Sequence, residues 1–247
     1  MAMKRQVQRV ATRALTFGSG RRSISVLHLN ASISEDSVTS VVSMGLMACV
    51  HQQSLRAAWT AKKNLIVNSS DRALEPFRAI ERDLWAPDLP TFGKDTMQSS
   101  YRVRQGEGTE EDIARVAPIL TLAQELLESD CVIISSPVWN HSVPYVVKQY
   151  IDCVVQPELT FCQTTQQPFV QGKTFILVTS AGGELGEQGN TAYSLVHSVF
   201  SGIGFNQGHC ISLEGLKDPS KRDQKLDAAL FEAERIAEQV VAYNLSL

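Results

Sequence analysis

The chain has 247 residues, of which 43% are hydrophobic and 20% are charged, and its net charge is −3. These values fit one α/β domain with a full core and argue against disordered and collagen-like chains. No run of about 18 apolar residues is present, so the sequence predicts no membrane span.

Positive charge is concentrated at the start of the chain. Six of the 23 basic residues and none of the 26 acidic ones lie in residues 1–22, which leaves a net charge of −9 on residues 23–247. This negative net charge on residues 23–247 argues against nucleic-acid binding. The basic, hydroxyl-containing extension is typical of a mitochondrial or plastid transit peptide. The alternatives are a basic tail without a targeting role and a start codon placed too early, either of which would leave a cytoplasmic protein.

The first predicted strand, Ile24–Leu29, leads into a loop rich in hydroxyl groups that runs to Ser40. Such a loop before a helix N-terminus can bind phosphate, because it offers free N–H groups, hydroxyl donors and the positive end of the helix dipole. Helix capping by Ser37 is the simpler explanation. The helix is predicted to start near Val41 and to reach as far as Ala61, although the poor pattern at about 52–75 indicates a surface insertion.

Phe77–Leu84 is predicted to be the second strand, and the polar residues 93–108 are predicted to form a surface loop. Thr109–Glu128 has the apolar spacing of a helix, with Thr109 and Asp112 at capping-box spacing. Pro118 should kink or split this helix.

The stretch from Asp130 to Phe161 reads as strand, turn and helix. Cys131–Ser135 is an unbroken apolar run typical of a buried parallel strand, and Ser142 is the predicted N-cap of the next helix. Between them, Trp139 and Asn140 lie at the carboxyl end of the strand, where open α/β sheets bind ligands. A planar cofactor could use both side chains, although an ordinary connecting loop explains them equally well.

The same alternation continues to the end of the chain. Lys173–Thr179 is a predicted buried strand followed by two glycines, and Asn190 caps the next predicted helix. His209–Leu213 and Asp223–Tyr243 are the last predicted strand and helix. This alternation predicts a five-stranded parallel sheet with helices on both faces.

Several familiar sites are excluded. No GxGxxG follows the first strand and no GxSxG elbow occurs, which argues against a dinucleotide Rossmann site and an α/β-hydrolase. The five histidines have no metal-ligand spacing, so no metal site is predicted. The five cysteines include no CxxC pair and are expected to be reduced, mostly core residues of an intracellular protein.

Three strand-end segments together resemble the flavodoxin-like FMN-dependent NADH:quinone oxidoreductase and azoreductase family. The longest match starts at Pro137-Val138-Trp139-Asn140-His141, passes through Lys148, Tyr150 and Asp152, and ends at Leu159-Thr160-Phe161. Thr179–Gly183 looks like the second flavin loop of the family, and Glu214-Gly215 is similar to the end of its fifth strand. The resemblance covers residues 24–243 apart from the insertion, and it implies a flavodoxin-like three-layer sandwich over residues 23–247.

The resemblance also implies roles for individual residues. It places Ser32, Ser37, Val38 and Thr39 around the FMN phosphate. It places Val138, Trp139, Asn140 and His141 along the isoalloxazine ring, and Ser180, Gly182 and Gly183 at the pyrimidine edge of the ring. His141, with Phe161, would line the substrate pocket. The chain departs from the family at His141, where Phe is usual, and at Ala181, where bacterial members often have Arg.

By this resemblance the protein is a homodimeric flavoenzyme that takes electrons from NADH or NADPH and passes two electrons to quinones or azo compounds in a ping-pong cycle. No side chain is required as an acid or base, since the flavin carries the reaction. Two alternatives remain open, a flavodoxin-like electron carrier and a flavin-free interaction protein with the same fold. The sequence leaves open the physiological acceptor and the choice between the two nicotinamides.

Overall fold

The computed structural model describes residues 23–34, 37–64, 77–186 and 190–246, and for residues 61–64 it describes the backbone alone. The N-terminal extension and residues 65–75 of the expected insertion lie outside these ranges. The described strands are β1 (Ile24–Asn30), β2 (Phe77–Asp83), β3 (Cys131–Pro137), β4 (Lys173–Ser180) and β5 (Phe205–Leu213). The described helices are α1 (Val38–Asn64), α2 (Lys94–Gln105), α3 (Glu110–Glu128), α4 (Tyr145–Val154), α5 (Thr191–Gly202) and α6 (Pro219–Ser246).

All five strands are parallel and form one sheet in the order β2-β1-β3-β4-β5. In sequence order, β2 is added on one side of β1, and β3, β4 and β5 then follow on the other side. In open sheets of this kind the connections diverge next to the central strands, which leaves a crevice at their carboxyl ends. The predicted flavodoxin-like parallel sheet is confirmed.

Two apolar cores lie on opposite faces of the sheet, because successive side chains of a strand point to opposite sides. Cys131 and Ile133 pack beneath α1 and α6, whereas Val132 and Ile134 pack beneath α3, α4 and α5. Burying a large apolar side chain contributes roughly 1.5–3 kcal/mol, so both helical layers are held firmly. The predicted three-layer sandwich is confirmed.

The prediction of a loop at residues 93–108 was wrong, because α2 occupies most of this segment. Its buried side chains are the small polar residues Thr96, Ser99 and Ser100, so the sequence shows no apolar stripe. Ser99 Oγ donates a 2.7 Å hydrogen bond to Asp112 of the next helix, so its hydroxyl group is satisfied by a contact outside this segment.

Two further expectations concern α3. The capping box is confirmed, since the Asp112 N–H donates to Thr109 Oγ1 over 3.2 Å and the Thr109 N–H donates to Asp112 Oδ2 over 3.0 Å. The helix is nevertheless not split at Pro118. Pro118 and Ala114 are both exposed, so water can satisfy the Ala114 carbonyl that lacks its helical partner.

Residues 52–64 of the expected insertion continue α1 as a regular helix, with Leu55 and Trp59 exposed. All five cysteines are free, and two of them, Cys131 and Cys153, are buried. Among the described residues, no helix combines the length and apolar character that crossing a bilayer requires.

Candidate functional site

The loop after β1 holds a compact cluster of hydroxyl groups. Ser32 Oγ lies 2.7 Å from Thr39 Oγ1, which is 3.1 Å from Ser37 Oγ. Ser37 is the N-cap of α1, as predicted: its Oγ accepts the Ser40 N–H over 3.1 Å and its carbonyl accepts the Val41 N–H over 3.0 Å. The helix therefore begins at the residue after Ser37, and the three hydroxyl side chains surround its first turn.

This cluster suits an anion. The N–H groups of Val38 and Thr39, the first two helical residues, have no acceptor within the helix. The first turn of the 27-residue α1 contains no acidic residue, so no carboxylate of the helix itself opposes the positive end of its dipole. Hydroxyl donors, free N–H groups and a helix N-terminus are the groups by which proteins hold phosphate.

A buried polar contact lies beneath this loop and joins β1, β3 and α1. Ser135 Oγ donates to Ser43 Oγ over 2.8 Å, and the Nε2 atom of His28 lies 2.5 Å from Ser135 Oγ. The His28 Nδ1 atom lies 3.4 Å from a carboxylate oxygen of Glu81. Burial lowers the pKa of His28, although Glu81 opposes the shift. A neutral His28 therefore fixes α1 on the sheet.

The loop after β3 makes a tight turn at the same edge of the sheet. The N–H and carbonyl groups of Trp139 pair with those of Ser142 over 2.8 and 2.9 Å. Asn140 and His141, at the tip, have positive φ angles of 49° and 61°. Positive φ is uncommon outside glycine and is concentrated at ligand-binding turns. Trp139 remains 40% exposed, and the side chains of Asn140 and His141 are exposed as well.

The prediction that Ser142 caps the following helix was wrong. Its backbone is occupied by the pairing with Trp139, and α4 begins three residues later at Tyr145 with Pro144 as N-cap. The proline fits this position because a helix needs no N–H there.

Two aromatic residues that sequence reasoning did not assign to the site lie beside this turn. Trp85, just after β2, packs against Trp139 and Tyr145 with ring centroids 5.7 and 5.6 Å apart. Its indole Nε1 donates a 3.0 Å hydrogen bond to the carbonyl oxygen of Ala31. The loops after β1, β2 and β3 are thus joined. The position of Trp85 at the carboxyl end of a strand was the available signal.

The loop after β4 completes the edge. The exposed Gly182 and Gly183 both lie here, next to the half-buried Ser180, whose carbonyl accepts the Val138 N–H over 2.8 Å. Within the described part of the chain, the N–H groups of both glycines donate to no acceptor. Space beyond Gly183 is open, with no atom within 4 Å of where a Cβ would lie. Both backbone donors are therefore unpaired within these described residues.

Asn190 closes the far side of this loop. Its side chain accepts the Tyr193 N–H over 3.0 Å, which confirms it as the N-cap of α5. The same amide donates to Thr179 Oγ1 on β4 over 2.9 Å. Next to it, Thr191 Oγ1 donates to the His141 carbonyl, so the loop after β3 is tied to the start of α5.

One predicted site residue lies apart from the others. Phe161 follows α4 and forms backbone bridges with Pro157 and Pro168. Pro168 packs near Gly204, which immediately precedes β5. Phe161 is therefore near the amino edge of the sheet, whereas Ser32, His141 and Gly183 lie at the carboxyl edge.

No set of three or more histidine, cysteine, aspartate or glutamate side chains is placed to hold a metal ion in the part of the chain that the structure describes. The grouping at the carboxyl edge consists of hydroxyl groups, free backbone N–H groups and exposed rings. It is therefore suited to a phosphorylated, planar organic molecule.

Comparison with known proteins identifies the family. The family model for the flavodoxin-like fold matches residues 63–237, which is more than half of the chain. This chain belongs to the flavodoxin-like family. The FMN-dependent NADH:quinone oxidoreductase of Desulfotalea psychrophila is 30% identical over 176 residues, 67% of this chain and 83% of the relative. The FMN-dependent NADH:quinone oxidoreductase 3 of Bacillus cereus is 29% identical over 166 residues, 64% of this chain and 80% of the relative.

Solved structures agree with the fold. An azoreductase from Bacillus anthracis superimposes with a TM-score of 0.69 at 24% identity, covering 87% of this chain and 99% of that one. An FMN-dependent NADH-azoreductase from Bacillus anthracis, solved in complex with FMN, gives a TM-score of 0.68 at 18% identity, covering 88% and 99%. The resemblance inferred from the sequence is confirmed, while the roles of individual site residues stay predictions.

Proposed function

We propose that this protein is an FMN-dependent NAD(P)H oxidoreductase that reduces quinones, azo compounds or both. The observation that carries this proposal is the meeting of three loops at the carboxyl edge of the sheet. The hydroxyl cluster at the N-terminus of α1, the exposed turn after β3 and the free N–H groups after β4 lie at the ends of neighbouring strands. Relatives named for FMN and NADH support the same function.

The residues present fit FMN. Ser32, Ser37 and Thr39, with the first N–H groups of α1, would hold the phosphate through charge-assisted hydrogen bonds. Val138 and the exposed Trp139–His141 turn would lie along the ring. The free N–H groups of Gly182 and Gly183 would face its pyrimidine edge, where negative charge accumulates on reduction.

FMN supplies hydride acceptance and donation when bound. The protein contributes binding and orientation. Trp139 and Trp85, whose rings pack together, would place apolar surface beside the ring and exclude water from it. His28 keeps the base of α1 in register with β1 and β3. We propose a ping-pong order, in which the oxidised nicotinamide leaves before the acceptor enters the same space.

We further propose a homodimer. The predicted pocket residue Phe161 lies near the amino edge of its own sheet, away from His141. Both residues can line one pocket only if a second copy of the chain contributes one of them. Light scattering during size-exclusion chromatography tests this proposal, since a monomer would remove Phe161 from the pocket.

The function is tested with the purified full-length protein. We expect bound FMN, visible as flavin absorbance, which is bleached by NADH or NADPH without oxygen and returns when a quinone or an azo dye is added. Parallel titrations with the two nicotinamides determine which donor the protein prefers.

Two other outcomes would each replace the proposal. Bound FMN that neither nicotinamide can bleach would indicate an electron carrier. A folded protein that binds no flavin, even when FMN is supplied in excess, would indicate an interaction protein that has kept only the fold.

A further inference from the structure

The loop after β5 is attached to the loop after β4. The Gly215 N–H donates to the Gly183 carbonyl over 3.0 Å, and the Lys217 N–H donates to the Gly182 carbonyl over 3.0 Å. Gly215 has a φ angle of 65°, which turns the chain back towards the site. The two loops therefore form one rigid edge.

The side chain of Lys217 lies along this edge, against Gly182. A Cβ on Gly182 would be 3.2 Å from both Cγ and Cε of Lys217, so the aliphatic part of the lysine covers the glycine. A glycine at 182 makes room for this approach. The ammonium group is one bond beyond Cε, so it lies close to Gly182, and the side chain of Lys217 is exposed to solvent.

Four neighbouring charged side chains are paired with one another, and the carboxylate of a fifth, Glu214, accepts hydrogen bonds from Ser212 Oγ and the Leu185 N–H. Glu184 lies 3.2 Å from Lys225, and Asp218 lies 3.6 Å from Lys221. Lys217 has no ion pair among the residues that the structure describes. Within this described part of the chain, no carboxylate forms an ion pair that would compete with a ligand for the charge of Lys217.

We propose that Lys217 raises the reduction potential of the bound flavin. The inference rests on the proposed function, in which Gly182 and Gly183 border the pyrimidine edge of FMN. Transfer of a hydride from NAD(P)H adds two electrons and one proton to the ring, so the reduced ring carries one more negative charge and the nicotinamide leaves oxidised. A positive charge beside that edge stabilises the reduced ring more than the oxidised one. Lys217 is thus a tuning residue for the electron-transfer cycle.

The test is the midpoint potential of FMN in Lys217→Met, which keeps the length of the side chain and removes its charge. We expect the affinity for reduced FMN to fall about tenfold relative to oxidised FMN, which lowers a two-electron potential by about 30 mV. Lys217→Arg should retain the wild-type potential. Lys221→Met removes a nearby charge that is already paired with Asp218, and it should leave the potential unchanged.

An unchanged potential in a flavin-loaded Lys217→Met would overturn the inference, and so would an equal shift in Lys221→Met. In both cases bleaching of the wild-type flavin by nicotinamide would leave the proposed function standing. If the wild-type protein binds no FMN, the proposed function and the role of Lys217 both fail. A midpoint potential that falls in Lys217→Arg as much as in Lys217→Met also overturns the inference. Such a result would show that the packing of the side chain, rather than its charge, sets the potential.

Discussion

The indole Nε1 of Trp85 donates a hydrogen bond to the carbonyl oxygen of Ala31, over 3.0 Å and across 54 residues of sequence. Ala31 is fully buried, so this oxygen has no access to water as a substitute partner. The contact holds the loop after β2 against the loop that carries the hydroxyl cluster.

Replacing Trp85 by Phe should therefore destabilise the protein. The ring contacts with Trp139 and Tyr145 are kept in part, but a buried acceptor loses its donor, at a cost of about 1–2 kcal/mol in the free energy of unfolding. Urea denaturation measures this change. The matched control is Trp59→Phe, since Trp59 is exposed on α1 and its replacement should cost less than about 0.5 kcal/mol. Equal effects at the two positions would contradict the role given to the hydrogen bond.

Replacing Thr39 by Val should weaken FMN binding while leaving riboflavin binding nearly unchanged. The variant keeps the shape of the side chain and removes one hydroxyl, and a hydrogen bond to a charged phosphate contributes about 1.5–3 kcal/mol. That range corresponds to a loss of affinity of roughly 10- to 150-fold, measured by quenching of flavin fluorescence.

Thr39 is a cleaner position than Ser37, because Ser37 also caps α1 and its loss would destabilise the helix itself. Thr60→Val is the control, since Thr60 lies near the other end of the same helix and, among the described residues, its hydroxyl bonds to the Arg56 carbonyl alone. A similar loss of riboflavin affinity in Thr39→Val would place the hydroxyl away from the phosphate.

Replacing Gly183 by Ala should leave the fold intact and reduce the content of FMN. Its φ is not positive and nothing lies within 4 Å of an added Cβ, so no strain arises in the protein alone. A methyl group in front of the N–H groups would instead meet the cofactor. We expect the free energy of unfolding without flavin to change by less than about 1 kcal/mol, and the protein to purify with less FMN.

Two glycines serve as comparisons. Gly215→Ala should destabilise even the flavin-free protein by about 1–2 kcal/mol, since a left-handed residue is strained and the new Cβ would meet the Glu184 carboxylate. Gly202→Ala, in open space at the end of α5, should affect neither property. A fully flavinated Gly183→Ala would mean that the loop after β4 is wrongly assigned.

Replacing Asp112 by Asn should alter the dependence of stability on pH. Hydrogen bonds from Arg102, then from Ser99 and Thr109, hold the pKa of the Asp112 carboxyl well below its usual range. The depressed pKa stabilises the fold above the unfolded-state value of about 4, and this contribution is lost as the pH falls towards the folded-state pKa. Urea denaturation from pH 7 down to acid should show a wild-type advantage that is largest near neutrality and shrinks below about pH 4. A constant difference would contradict the argument.

The sequence predicted the elements whose signals are local. Cys131–Ser135 is an unbroken β-branched and apolar run, and the Thr109–Asp112 and Asn190 caps each need only residues a few positions apart. The alternation of such elements was enough to predict the sheet and its two helical layers. The three strand-end loops were predicted for the same reason, since parallel strands end at one edge.

The errors arose where distant contacts decide the local structure. The helix at Lys94–Gln105 buries Ser99 because a carboxylate from the next helix satisfies it, and no periodicity within the segment reveals that. Ser142 is a good N-cap by type, yet its backbone is taken by Trp139. Trp85 likewise depends on a contact 54 residues away. The position of Phe161 could not be predicted, because it depends on the path of the chain after α4.

Ala31, Val138 and Ala181 are the first residues after β1, β3 and β4. The amide of each donates a 2.8 Å hydrogen bond to the neighbouring strand, so the pairing of the sheet extends one residue into each of the three loops. In hydrogen exchange these three amides should therefore behave like the central strands, and open only when the whole domain unfolds. The base of the pocket is then already ordered before any ligand arrives. Binding does not have to overcome the entropy of ordering Ala31, Val138 and Ala181, so this part of the entropy cost does not reduce the affinity for FMN.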